Sequence, residues 1–188
     1  MTAYRRLEPG DVPRVMGISV AELGPDYLSE RRFLEAMDSA GCFCNVATED
    51  GEAVAFALCR LFGPDSIGEA MGLPASPELE RLSGLEAIGL LDSVSVLDSM
   101  KGRGIGTRIS EISFRQLAEG GARAVCAMAW RTVAGRTNIA GTLEGLGMRE
   151  SLSIEGYWNG RVDTPGGHMC PVCGAPCGCY GVLYTAFL

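Results

Sequence analysis

The hydrophobic pattern of this 188-residue chain changes period several times along its length. "AYRRL" reads as a short strand, ended by a Pro9-Gly10-Asp11 turn. Val12, Val15, Met16, Val20 and Leu23 then recur at the spacing of one helix face, with Asp11 as the expected N-cap. "PDYLSERRFLEAMDSAG" predicts a second helix, opening near Pro25 and ended by Gly41. Two apolar, β-prone runs flank Asp50-Gly51 in "CFCNVATEDGEAVAFALCRLF", the pattern of a hairpin closed by a type I′ turn. Residues 63–86, with three prolines and four glycines, read as a long loop holding one helical turn around "SPELERL". "AIGLLDSVSVL" alternates as a strand does, and "GTRISEISFRQLAEGG" is an amphipathic helix ended by Gly120-Gly121. "ARAVCAMAW" predicts a strand, "TNIAGTLEGLGM" a short helix and "RESLSIEGYW" another strand. A loop rich in Gly, Pro and Cys follows, before the last strand "YGVLYTAFL". The order β-α-α-β-β-β-α-β-α-β-β predicts an α/β (α+β) fold, one mixed central sheet with helices on both faces. Neither a repeat nor a linker divides it, so one domain over 1–188 is expected, with 159–179 a Cys-rich insertion.

Composition narrows the partners. A hydrophobic fraction of 47% and a charged fraction of 21% suit a globular domain. A net charge of −7 opposes nucleic-acid binding, which needs clustered Lys and Arg, and mildly suits an amine-bearing substrate. No apolar run approaches the length that crosses a bilayer, and "MTAYRRLEPGD" lacks the apolar core of a signal peptide. A soluble, cytoplasmic protein with no membrane partner is the expectation.

In that reducing setting the eight cysteines read as thiols or metal ligands rather than disulfides. Cys42, Cys44, Cys59 and Cys126 lie in apolar strands and read as small buried hydrophobes. Cys170, Cys173, Cys177 and Cys179 form "CPVCGAPCGC", where four thiolates suffice for a closed tetrahedral zinc site. An iron–sulfur cluster, a redox pair or free thiols stay open as alternatives. His168, the only histidine, sits beside this cluster, so no Ser-His-Asp triad can be built in the core.

The segment "KGRGIGT" lies between a strand and an amphipathic helix. Gly102, Gly104 and Gly106 would let the backbone approach a ligand, and the helix amides that follow make an anion site. The dinucleotide fingerprint fails, because no glycine stands at 109; the P-loop fails, because no Gly-Lys-Ser/Thr ends the segment. Lys101-Gly102-Arg103-Gly104-Ile105-Gly106 is instead similar to the acyl-CoA signature [Arg/Gln]-x-x-Gly-x-[Gly/Ala] of the GNAT superfamily of N-acetyltransferases, with Lys101 in place of Arg or Gln. The order of elements resembles that fold along nearly the whole chain.

The resemblance implies a GNAT-type enzyme that moves an acetyl or similar acyl group from acetyl-CoA to an amine. Amides from Gly102 to Thr107, with Arg103 and Ile105 between the glycines, would cradle the CoA pyrophosphate. Val94 to Val96 would pair with the pantetheine arm and polarise the acyl carbonyl. Asn138, opening the next helix, stands where the family often contacts CoA. Asp92, nine residues before Lys101, is the candidate acceptor of the amine's proton, with Glu86 a weaker one. The family's acid tyrosine is replaced here by Leu143, which leaves Tyr157, Tyr180 and Tyr184 as substitutes. That replacement also keeps open a non-catalytic acyl-CoA- or metal-binding sensor, and a metal-dependent redox protein is a third reading. The amine acceptor, whether a small molecule or a protein amine, is not legible, and a homodimer is left open. A structural zinc on the four late cysteines would staple a loop bordering the acceptor site.

Overall fold

The computed structural model describes residues 1–25, 27–160 and 169–188. Among these residues the strands β1 (Ala3–Arg6), β2 (Cys42–Glu49), β3 (Glu52–Phe62), β4 (Ile88–Val96), β5 (Ala124–Arg131), β6 (Arg149–Glu155) and β7 (Tyr180–Phe187) form one 7-stranded sheet. Its order is β1-β2-β3-β4-β5-β7-β6, and every neighbouring pair is antiparallel except β4 and β5. The mixed sheet is the expected one.

Among the described residues six α-helices cover it: α1 (Val12–Leu23), α2 (Glu30–Asp38), α3 (Ile67–Met71), α4 (Pro77–Ser83), α5 (Ile105–Glu119) and α6 (Ala140–Gly145). On one face Ile105, Ile109 and Leu117 of α5 and Leu143 of α6 pack on Ala55, Ala57, Val125 and Val182. On the other, Val15 and Ile18 of α1 and Phe33 of α2 cover Val46, Phe56 and Leu58. Alongside them Ile67, Met71 and Leu82 of α3 and α4 cover Ile88, Leu90, Cys126 and Leu183. Each helix buries the apolar stripe that its 3.6-residue period aligns, and alternate strand residues supply the two faces. Phe33 and Phe56 are fully buried and meet edge to face, with centroids 5.2 Å apart.

Several local expectations need correction. α2 begins at Glu30 rather than near Pro25, because Ser29, extended at φ −88° and ψ 156°, stands just ahead of it. The 63–86 segment holds two short helices, not one turn: Gly72 ends α3 at φ 54°, and the Ser76 hydroxyl accepts the Leu79 N–H to open α4. Asp11 precedes α1 but turns its carboxylate back, accepting the Glu8 N–H at 2.9 Å and a bidentate Arg5 guanidinium at 2.6 and 2.9 Å. Cys44, Cys59 and Cys126 are buried as expected, whereas Cys42 is only partly so. Burial pushes the Cys126 thiol up to about 12, which keeps it inert at neutral pH. The Asp50-Gly51 turn has φ of 50° and 85°, as a type I′ turn requires. His168 and residues 161–167 lie outside the described residues.

Two features position the site. Ser93 pairs with Leu58 and Leu91 with Cys59, so Asp92 is an extra residue in β4, a β-bulge. Ahead of it, Ile88 and Leu90 face α3 and α4; beyond it, Val94 and Val96 face α5. The second feature is a slot. β4 and β5 pair only at Ile88, Gly89 and Leu90 with Ala124, Val125 and Cys126, and beyond these they part.

Candidate active site

The parted strands frame a cleft of about 790 Å³. Leu91 to Val96 form one wall, Ala127 to Trp130 the other, and the segment from Lys101 to Thr107 lies at its end.

That segment offers backbone rather than side chains. Gly102 and Gly104 both adopt φ of +76°, and a Cβ at either would meet no atom within 4 Å. Glycine is therefore required by the backbone path and not by crowding, and the space above the loop is open. Among the described residues, no amide from Gly102 to Thr107 donates to a backbone carbonyl; the first helical bond is Arg108 N–H to Gly104 O at 2.9 Å. Six N–H groups at the start of a 15-residue helix thus lack a backbone acceptor, and five of them, all but that of Arg103, belong to residues that line the cleft and suit an anion. The side chains of the loop are engaged elsewhere. Lys101 bonds to Glu22 and to Asp98, and Arg103 pairs with Glu49 at 2.6 Å. Thr107 and Thr142 share a hydroxyl contact at 3.1 Å that ties α5 to α6. Asn138 lines the cleft, as does Arg136, whose guanidinium has no ion pair among the described residues.

Asp92 also lines the cleft, as expected, but it is not solitary. Arg32 of α2 and Arg60 of β3 both meet its Oδ2, the latter at 3.2 Å. The bulge turns this carboxylate toward α2 and sets it between two guanidiniums that sequence reading missed. Glu86 is corrected as a candidate base: it is exposed, lies ahead of β4 at the end remote from the glycine loop, and pairs with Arg123 at 3.6 Å. Leu143, at the usual tyrosine position, is fully buried and forms part of the cleft wall, so no hydroxyl stands there. Tyr157 donates to Met71 O at 2.6 Å, and Tyr184 packs in the core under α5; neither of them nor Tyr180 lines the cleft. Tyr27, in the α1–α2 connection, does. Burial above all, then the Asp92 charge, pushes its phenol well up, while a hydrogen bond with Ser93 opposes this; at neutral pH it keeps its proton.

The four late cysteines come together at the same end as Tyr27. Their sulfurs all lie within 4.8 Å of one another, with Cys170–Cys179, Cys173–Cys177 and Cys173–Cys179 at 3.9, 3.7 and 3.6 Å. Sulfurs at the corners of a tetrahedral zinc site would stand about 3.8 Å apart, from Zn–S bonds of about 2.3 Å. Donors surround them as a thiolate cluster requires. The Gly178 N–H points at Cys173 Sγ at 3.4 Å. The Trp130 indole N–H is buried beside the cluster without a hydrogen-bond partner among the described residues, and its influence on Cys179 opposes the larger effect of burial. Burial raises the Cys177 and Cys179 thiols. Burial also acts on Cys173, but the Gly178 amide and the neighbouring thiols bring it down to about 7. The cluster packs on Trp158, Trp130, Met128 and Tyr27, so it backs one wall of the cleft.

Solved structures carry the same architecture. Arabidopsis thaliana NAA60 in complex with acetyl-CoA aligns with a TM-score of 0.69 and 15% identity, over 100% of this chain and 99% of that one. A Drosophila melanogaster polyamine N-acetyltransferase gives 0.66 and 15%, covering 100% of both chains. A GNAT-family protein from Desulfovibrio desulfuricans gives 0.61 and 16%, over 100% and 99%. The chain has the GNAT fold. No family model and no curated protein matches its sequence. The likeness is therefore one of architecture. The Cys cluster sits between β6 and β7, where it packs behind the cleft-lining Tyr27, Met128, Trp130 and Trp158.

Proposed function

We propose that this chain transfers an acetyl group from acetyl-CoA to an amine. The observation that carries this reading is the slot between β4 and β5, open at the row of free amides from Gly102 to Thr107. Those amides suit a pyrophosphate, with Arg136 and Asn138 as side-chain contacts. The unpaired edge of β4 at Val94 to Val96 offers hydrogen bonds to a pantetheine amide, and one N–H to the acyl oxygen as charge develops on it.

In the reaction the amine nitrogen attacks the thioester carbonyl, a C–N bond forms and the C–S bond breaks. The amine gives up one proton, and the CoA thiolate gains one. Asp92, which lines the cleft and is gripped by Arg32 and Arg60, takes the amine's proton through water. A thiolate is a competent leaving group at neutral pH, since free thiols ionise near 8.5, so Leu143 does not prevent turnover. Cys170, Cys173, Cys177 and Cys179 would hold a structural zinc that cross-links the segment before β7 and supplies no chemistry to the transfer. A cytoplasmic setting, where thiols stay reduced, belongs to this reading.

The test combines three measurements on one preparation: thermal stabilisation by acetyl-CoA, CoA release with a panel of amines, and metal content. Stabilisation together with amine-dependent CoA release supports the enzyme. Stabilisation with no release from any amine supports the acyl-CoA sensor, which Leu143 in the acid position favours.

A further inference from the structure

The slot has two sides, and they differ in chemistry. On the α5 side lie the free amides, Thr107 and Thr142, suited to an anion. On the other side the wall is Tyr27, Met128, Trp130 and Trp158. With CoA entering over the glycine loop, an acceptor reaches the thioester from this second side, so these four residues meet its body.

Packing and a hydrogen bond hold this wall in place. Trp158 is 6% exposed and donates its Nε1 to Tyr180 O at 3.2 Å. It meets Tyr157 edge-on with centroids 4.9 Å apart, and Tyr27 at 6.0 Å and 57°. Trp130 packs against the cysteine cluster. Such a surface binds an apolar body with little ordering cost.

The charges at the cleft decide between classes of amine. Its described carboxylates are Glu22, Asp92 and Asp98. Arg32 and Arg60 engage Asp92, and Lys101 engages both Glu22 and Asp98. Glu22 and Asp98 share the one charge of Lys101 beside the glycine loop, and the wall of Tyr27, Met128, Trp130 and Trp158 itself brings no carboxylate. A polyamine would bring a second charge with only aromatic faces to receive it, a weaker compensation than a carboxylate for its lost hydration.

We propose that the acceptor is a monoamine with an aromatic or bulky apolar body, seated on Tyr27, Met128, Trp130 and Trp158. This rests on the acetyltransferase reading. The amine nitrogen points into the slot between β4 and β5, and the body stays on the wall backed by the cysteine cluster.

The experiment measures kcat/KM with acetyl-CoA for 2-phenylethylamine and tryptamine against spermidine, agmatine and methylamine, beside thermal stabilisation by acetyl-CoA alone. At least a tenfold preference for the aromatic monoamines is expected. Met128→Asp places a charge on the wall and should remove most of that preference, with acetyl-CoA stabilisation of the variant recorded beside it. Tyr27→Ala, outside the regular elements, reads the same effect as a raised KM should the Met128 variant fail to fold. Equal or better turnover of spermidine, or of methylamine, overturns the proposal while the acetyltransferase reading stands. So does a protein that binds acetyl-CoA yet turns over none of these amines. Absence of acetyl-CoA stabilisation removes the acetyltransferase reading, and this proposal with it.

Discussion

Gly104 shows how a single residue governs the anion end of the cleft. Its φ of +76° belongs to the region where an L side chain costs about 1–2 kcal/mol, and a β-branched one more. Gly104→Val should therefore lower CoA affinity at least tenfold, read by titration calorimetry on protein whose ligand-free melting is recorded beside it; unchanged affinity would remove the loop from the site. Asp92→Asn keeps the shape of the side chain and loses its charge. It should reduce kcat by about 100-fold, the lower range for a lost general base, with acetyl-CoA affinity held within threefold. A fall in affinity with kcat intact would instead mark Asp92 as structural, a partner for Arg32 and Arg60. Asp11 yields a pH prediction. The Arg5 hydrogen bond, against an opposing effect of burial, holds its carboxyl below the ordinary value of about 3.9. A lowered folded-state pKa stabilises at pH above the unfolded value and loses that contribution as pH falls through the folded one. The gap in stability between the protein and Asp11→Asn should thus be constant above about pH 5 and close below about pH 4, measured by urea unfolding.

At the scale of elements, the fold depends on how helices meet the sheet. α2 is anchored by Phe33, fully buried against Phe56, so Phe33→Ala should cost about 3–5 kcal/mol, measured by denaturant unfolding. A cost under about 1 kcal/mol would show that α2 does not hold the sheet as this packing implies. β4 illustrates what pattern reading loses. Its alternation was legible from "AIGLLDSVSVL", but the bulge at Asp92 reverses which face each side chain takes, and a bulge depends on the neighbouring strand rather than on the strand itself. The 63–86 segment misled in another way. Its glycines and prolines suggested a loop, yet Gly72 and Pro77 punctuate the two short helices that cover Ile88 and Leu90.

Across the whole molecule, the cysteine cluster couples the segment before β7 to the cleft wall. Stripping metal with a chelator, or replacing Cys173 and Cys177 with serine, should lower the melting temperature and raise KM for the amine. Acetyl-CoA binding should persist, because no residue from Gly102 to Thr107 is among those packed on the cluster. Metal analysis checks the premise, with about one zinc per chain expected before and little after. Full metal content in the double serine variant, or loss of acetyl-CoA binding, would refute this coupling. By itself the sequence determined what local chemistry controls. The periods of the helices and strands, the Asp50-Gly51 turn, the glycine loop ahead of α5 and the close cysteines at 170–179 are all written within short stretches, and each is set by backbone preference or ligand spacing. Only the tertiary structure decided the rest. The parting of β4 from β5, the two arginines from α2 and β3 on Asp92, and the wall of Tyr27, Met128, Trp130 and Trp158 join residues far apart along the chain. Their meeting depends on strand order and helix packing, which no local pattern encodes.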